Sequence, residues 1–178
     1  MEMRRHHLQS GFTLIELIIA VSLTVMLLLT ASALFMTFLI SGAKVNSTQL
    51  VKQEGQHALI QMEFLLRNAI ELLPNSFGDE CIADMTEIKF RSIDGGETTL
   101  AIEDDGGVDK IASNSGVYLT SGAVKIVNGI NFTCTQNSDE SHPHISISFT
   151  LRKGTPGLDP TRDIVQETFT ASATVRSL

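Results

Sequence analysis

No run of lysine and arginine occurs in this chain. Its 13 basic side chains stand singly or in isolated pairs such as Arg152-Lys153, against 20 acidic ones and a net charge of -7. That balance argues against generic binding to a phosphate backbone, which needs grouped cations, so no nucleic-acid partner is expected. There is no tryptophan, and only two cysteines, Cys81 and Cys134. Their spacing matches no zinc pattern, which requires further Cys or His close by. No Ser, Cys or acid can be grouped around a histidine as a catalytic set. His142-Pro143-His144, with Asp139 and Glu140 upstream, reads as ordinary loop chemistry, so the protein is read as no enzyme and no cofactor is expected.

Charge is missing most conspicuously between residues 17 and 40, about 24 positions of Leu, Ile, Val, Ala, Met and Phe with a few Ser and Thr. A helix needs about 20 such residues to cross a bilayer. Glu16 stands at the mouth of the run, where a carboxylate drawn toward the bilayer centre costs about 2.5 kcal/mol or more, and such residues mark a specific partner or pathway. The segment before it is short and polar. Arg4, Arg5 and the starting amine stand against Glu2, with His6 and His7 partly charged at most, and positive flanks stay in the cytoplasm. The expected topology is a single pass through the inner membrane, N-terminus cytoplasmic and C-terminal domain outside.

Gly11-Phe12-Thr13-Leu14-Ile15-Glu16, a short basic leader before it and an apolar helix after it, resembles the class III signal of type IV prepilins and type II secretion pseudopilins. The resemblance covers residues 1 to about 40. It implies that a prepilin peptidase cuts between Gly11 and Phe12 and methylates the new amine of Phe12. It also implies that Glu16 is an assembly residue, paired with the Phe12 amine of a neighbouring subunit. A lone charge in a low-dielectric region is costly and a paired one much less so, which favours addition of the next protomer in one register. The plainer reading is an interfacial Glu that snorkels to the headgroups of a simple bitopic anchor. Signal-peptidase release after Ala43, in Ser41-Gly42-Ala43, is disfavoured because a secretory apolar region runs only about 7 to 15 residues.

Past residue 40 the helix should continue. Leu59, Met62, Leu66, Ala69 and Leu73 recur at helical spacing, while Glu54, Glu63, Arg67 and Glu71 fall off that stripe. Pro74, Asn75 and Gly78 then give a stop, and Gly42 and Gly55 are places where the helix can bend. Further on the pattern alternates. Ile88 and Phe90, the turn Asp94-Gly95-Gly96 and residues 98–103 predict a β-hairpin, and residues 117–119 and 124–134 predict further strands. Ile145, Ile147, Phe149 and Leu151, then Phe169, Ala171, Ala173 and Val175, complete one antiparallel sheet laid on the helix.

The predicted fold is therefore α+β and pilin-like, in four parts: leader 1–11, transmembrane and assembly helix 12–40, amphipathic helix 41–74, and extracytoplasmic β-rich domain 75–178. About 135 residues follow the span, enough for one modest core. Residues 56–69, Gly129-Ile130-Asn131-Phe132 and residues 169–176 are similar to the larger minor pseudopilins of the J type and the W-type minor pilins. The chain departs from them in its Ser177-Leu178 end and short middle region, which leaves a major subunit open.

In an oxidising exterior Cys81 and Cys134 would bridge, closing a loop of about 54 residues and tying the segment after the helix to a central strand. In a reducing one they would be two buried thiols. Glu103-Asp104-Asp105-Gly106-Gly107-Val108-Asp109 places oxygen ligands around glycines; Asp104, Asp105 and Asp109 are a weak calcium candidate, beside the plainer reading of a solvated acidic hairpin turn. Asn46-Ser47-Thr48 and Asn131-Phe132-Thr133 match a glycosylation sequon that is common by chance.

The expected function is that of a structural subunit, minor pilin or pseudopilin, of a type IV pilus or type II secretion pseudopilus. Its partners would be other pilin subunits, prepilin peptidase, the inner-membrane assembly platform and the membrane. The alternative is a tethered adhesin or DNA-uptake binding module that does not polymerise.

Overall fold

The computed structural model describes residues 11–114, 116–136, 142–160 and 164–176. The leader residues 1–10, Asp139, Glu140 and the Ser177-Leu178 end lie outside them. Helix α1 (Leu14–Arg67) is followed by β1 (Ala69–Leu73), β2 (Ile88–Ser92), β3 (Glu97–Asp104), β4 (Asp109–Ser113), β5 (Lys125–Thr135), β6 (His144–Lys153) and β7 (Val165–Thr174). The chain divides into two compact units between Gly42 and Ala43.

The first unit contains only helix and its short lead-in. Every described side chain from 11 to 39 is exposed, although an 18-residue window of the helix reaches a mean hydropathy of 2.5. Its few hydroxyls do not seek water: Ser22, Thr24, Thr30, Ser32 and Thr37 each donate to a carbonyl one turn back at 2.7–3.0 Å. These polar groups are thus met inside the helix, the condition for residence in hydrocarbon.

In the second unit, α1 buries Ser47, Val51, Gly55, Ala58, Met62 and Leu66, a stripe with steps of three and four. Two antiparallel sheets pack with it, of order β1-β2-β3-β4 and β5-β6-β7. Ile88, Phe90, Leu100 and Ile111 come from the first; Phe132, Ile145, Ile147, Phe149 and Leu151 from the second. Together with Val51, Ala58, Met62 and Leu66 they form one core. Burying a side chain of this size contributes about 1.5–3 kcal/mol.

Four expectations need correction. The helix ends at Arg67, not near residue 73. Asn68 donates to Phe64 O through both its backbone N–H (3.2 Å) and its Nδ2 (3.0 Å), and its own carbonyl accepts from Ile93 N–H (3.1 Å). Ala69 and Leu73 then belong to a strand paired with β2, where Glu71 meets Arg91 at 2.6 Å. The β-rich part therefore begins at Ala69 rather than residue 75. Secondly, the strands form two sheets, not one. They meet at a seam where Arg176 N–H donates to Ala69 O (3.0 Å). Thirdly, residues 117–119 are no strand: Tyr118 makes a single bridge to Ala112, and the strand beside it is β4, which buries the adjacent pair Ile111-Ala112 and so hides the alternating signal. Fourthly, Gly55 is a packing position: a Cβ there would overlap the Phe169 ring, and the helix runs unbroken through both Gly42 and Gly55.

Candidate functional site

The chain is not helical from Gly11 to Thr13, and Thr13 then starts the helix. Its carbonyl accepts the first helical bond from Leu17 N–H (3.2 Å), and its Oγ1 accepts from Glu16 N–H (3.3 Å). In return Glu16 Oε2 accepts from Thr13 N–H (3.2 Å) and from Thr13 Oγ1 (3.0 Å). This reciprocal pair is a capping box, with a hydroxyl at the cap and a carboxylate three residues on. Thr13 was the residue missed in the sequence, although Thr-x-x-Glu before an apolar run is its signature. The carboxylate also sits in the first turn, where the helix dipole favours negative charge.

Around this polar knot everything is apolar and bare. Phe12 is 87% exposed, Leu14 78% and Ile15 67%, and the helix carries no charge from Leu17 to Ile40. One acid is therefore held, with its hydrogen bonds made, on a surface that water does not solvate favourably. Such an end can meet lipid and offer a single carboxylate to a cation.

Elsewhere, Cys81 and Cys134 form a disulfide with Cα atoms 5.0 Å apart. The strand it reaches, β5, is an edge strand and not a central one. Residues 82–85 run along that edge: Met85 and Phe132 exchange backbone hydrogen bonds of 2.9 and 2.7 Å, and Cys134 N–H donates to Ile82 O at 2.9 Å.

Three acids of the hairpin have partners in the fold. Asp104 Oδ1 accepts from Gly107 N–H (2.7 Å), Asp105 pairs with Lys110, and Glu103 accepts from Gly116 N–H (3.2 Å). Asp109 starts β4, opposite Asp104 in register. Among the described residues no three His, Cys, Asp or Glu side chains converge as metal ligands. His144 opens β6, its Nδ1 3.4 Å from Thr174 Oγ1. Asn46 is exposed on α1, and Asn131 donates to Asp84 (2.8 Å) from within β5.

Residues 6–32 match the family model of the prokaryotic N-terminal methylation motif. No curated protein and no solved structure matches the chain. The motif, which in general marks precursors that a prepilin peptidase processes and that assemble with other pilins, stands here on a long apolar helix whose second part packs with antiparallel sheets, an α+β, pilin-like architecture. The chain thus carries the class III signal of type IV pilins and pseudopilins.

Proposed function

We propose that this chain is a minor subunit of a type IV pilus or of a type II secretion pseudopilus. A prepilin peptidase hydrolyses the Gly11–Phe12 bond and the amine so freed at Phe12 is methylated. Residues 12–40 hold the subunit in the cytoplasmic membrane, N-terminus inside and domain outside, and later pack in the filament.

The observation that carries this reading is Glu16. It is the one charge on a wholly exposed apolar helix, four residues from the amine that cleavage at Gly11 would create. In the single chain its carboxylate is satisfied by Thr13 alone, and both bonds come from one neighbour one turn away. A carboxylate has room for about four hydrogen bonds, so an ammonium of an adjoining copy can be added without breaking the cap. Pairing two charges in hydrocarbon offsets the cost that each bears alone, and it is available only when copies sit in the matching register.

The test is Glu16→Ala in cells that carry the full assembly machinery. The variant should still insert in the membrane and be cut, while its incorporation into filaments falls to background. Unchanged incorporation would overturn the reading and leave a tethered binding module. Mass spectrometry of the native N-terminus gives an independent check: the expected species starts at methylated Phe12, and one starting at Met1 or Lys44 sinks the proposal.

A further inference from the structure

The fold gathers cations that stand apart in the sequence. Among the described residues, half of the basic side chains of the second unit have carboxylate partners: Lys52 with Glu167, Arg67 with Glu63, Lys89 with Glu97, Arg91 with Glu71 and Glu97, Lys110 with Asp105. Among the described residues, five have none: Lys44, Lys125, Arg152, Lys153 and Arg176.

Four of those five lie at one end of the unit. Lys125 opens β5 and is directly opposite Arg152 on β6, with Lys153 next along that strand. Lys125 Nζ is 3.4 Å from Thr155 Oγ1. Thr155 and Lys153 line an open depression of about 560 Å³ whose far wall is Ala43 and Asn46 on α1, and Lys44 lies between those two helix residues. Like charges directly opposite on neighbouring strands destabilise a sheet, so Lys125 facing Arg152 works against the domain's own stability. Of the nearby acids, Glu167 is bound to Lys52, Glu54 accepts from Ser121 (2.9 Å), Asp159 lines the depression and accepts from Thr155 N–H (2.6 Å), and Asp109 shares a smaller hollow with Lys125. Arg152 Nε is buried and makes no hydrogen bond.

We infer that this basic end docks on the phosphodiester headgroups of anionic phospholipids. The inference rests on the proposed reading of residues 17–40 as the membrane span. Lys44 follows that run by four residues of helix, about 6 Å of rise, which is within the headgroup layer of a bilayer. Cations held at that level are attracted to an anionic leaflet, although the chain as a whole has a net charge of -7. An acidic face of a second subunit is the competing occupant.

The test uses the full chain in lipid nanodiscs, either of phosphatidylcholine alone or with phosphatidylglycerol, followed by hydrogen exchange. Amides of residues 43–47 and 153–155 should exchange about fivefold more slowly in the anionic discs, an effect lost at high salt and in Lys125→Glu/Lys153→Glu. In that variant the carboxylate introduced at position 125 can pair with Arg152, so the strands stay folded; unchanged exchange in β6 and β7 verifies this. Equal exchange in both lipids overturns the inference. So does protection produced by inorganic phosphate with neutral discs, or protection that appears only when two copies share a disc. Failure of the chain to enter discs of either kind would instead overturn the membrane-span reading.

Discussion

The ring of Phe169 on β7 closes directly on the backbone of Gly55 in α1, where a Cβ would overlap its Cε2 and Cζ atoms. The same ring stacks on Phe149 of β6 at 5.4 Å between centroids. Helix and sheet are locked at a point that admits no side chain on the helix.

Gly55→Ala should therefore destabilise the domain by about 1–3 kcal/mol through overpacking. In an unconstrained helix the same change would stabilise by about 1 kcal/mol. Adding Phe169→Leu should recover part of the loss, and thermal unfolding of the full chain in detergent, run as a double-mutant cycle, measures the coupling.

The Cys81–Cys134 bridge closes a long loop and pins residues 82–85 along the edge of β5. Replacing both cysteines by serine should cost about 2–4 kcal/mol in denaturant unfolding. A reductant added to the native protein should reproduce the loss and leave the serine variant unmoved.

Glu97 supplies a pH dependence with a definite sign. Its hydrogen bond to Lys89, that residue's charge, and a second bond to Arg91 hold its carboxyl below the ordinary value of 4.5. The stability it contributes is complete above that value and is lost as pH falls through the lowered one. Glu97→Gln should be less stable than the parent at neutral pH, by a small, salt-sensitive margin because the pair is exposed, and the gap should close in acid. Unfolding midpoints of both proteins across the acid range provide the comparison.

Thr13→Val removes the cap hydroxyl and keeps the shape. Loss of a cap of this kind costs about 1 kcal/mol, so the amides of Glu16 and Leu17 should exchange about fivefold faster in detergent while the second unit is unchanged. If exchange there is unaltered, the hydroxyl does not hold the helix start.

Much of this was legible in the residues. Six contiguous positions before an uncharged run carry the whole processing motif, because its chemistry is local. Ile145, Ile147, Phe149 and Leu151 alternate cleanly, and β6 buries all four. What failed depended on partners distant in the chain. Leu66, Ala69 and Leu73 are spaced for a helix, but hydrogen bonding of residues 69–73 to β2 overrides that spacing. Nothing in the alternation of β4 or β5 says that they belong to different sheets, since pairing is chosen by the core as a whole. Gly55 was legible as special, but not why, because the ring that excludes a side chain comes from more than a hundred residues later in the sequence. The basic end was invisible for the same reason: Lys125 and Arg152 become neighbours only through the register of β5 with β6, and Lys153 meets Ala43 and Asn46 only across the depression beside α1.

The seam between Arg176 and Ala69 has a bearing on how the protein is made. A ribosome releases the helix first, yet Phe169, whose ring closes on Gly55, and Arg176, whose N–H reaches Ala69, come more than a hundred residues after their partners. Until they arrive, Gly55 and Ala69 lack these partners, and long-range closure of this kind is slow. The nascent domain thus carries an unfinished core until β7 is made, and a chain in that interval is prone to aggregate.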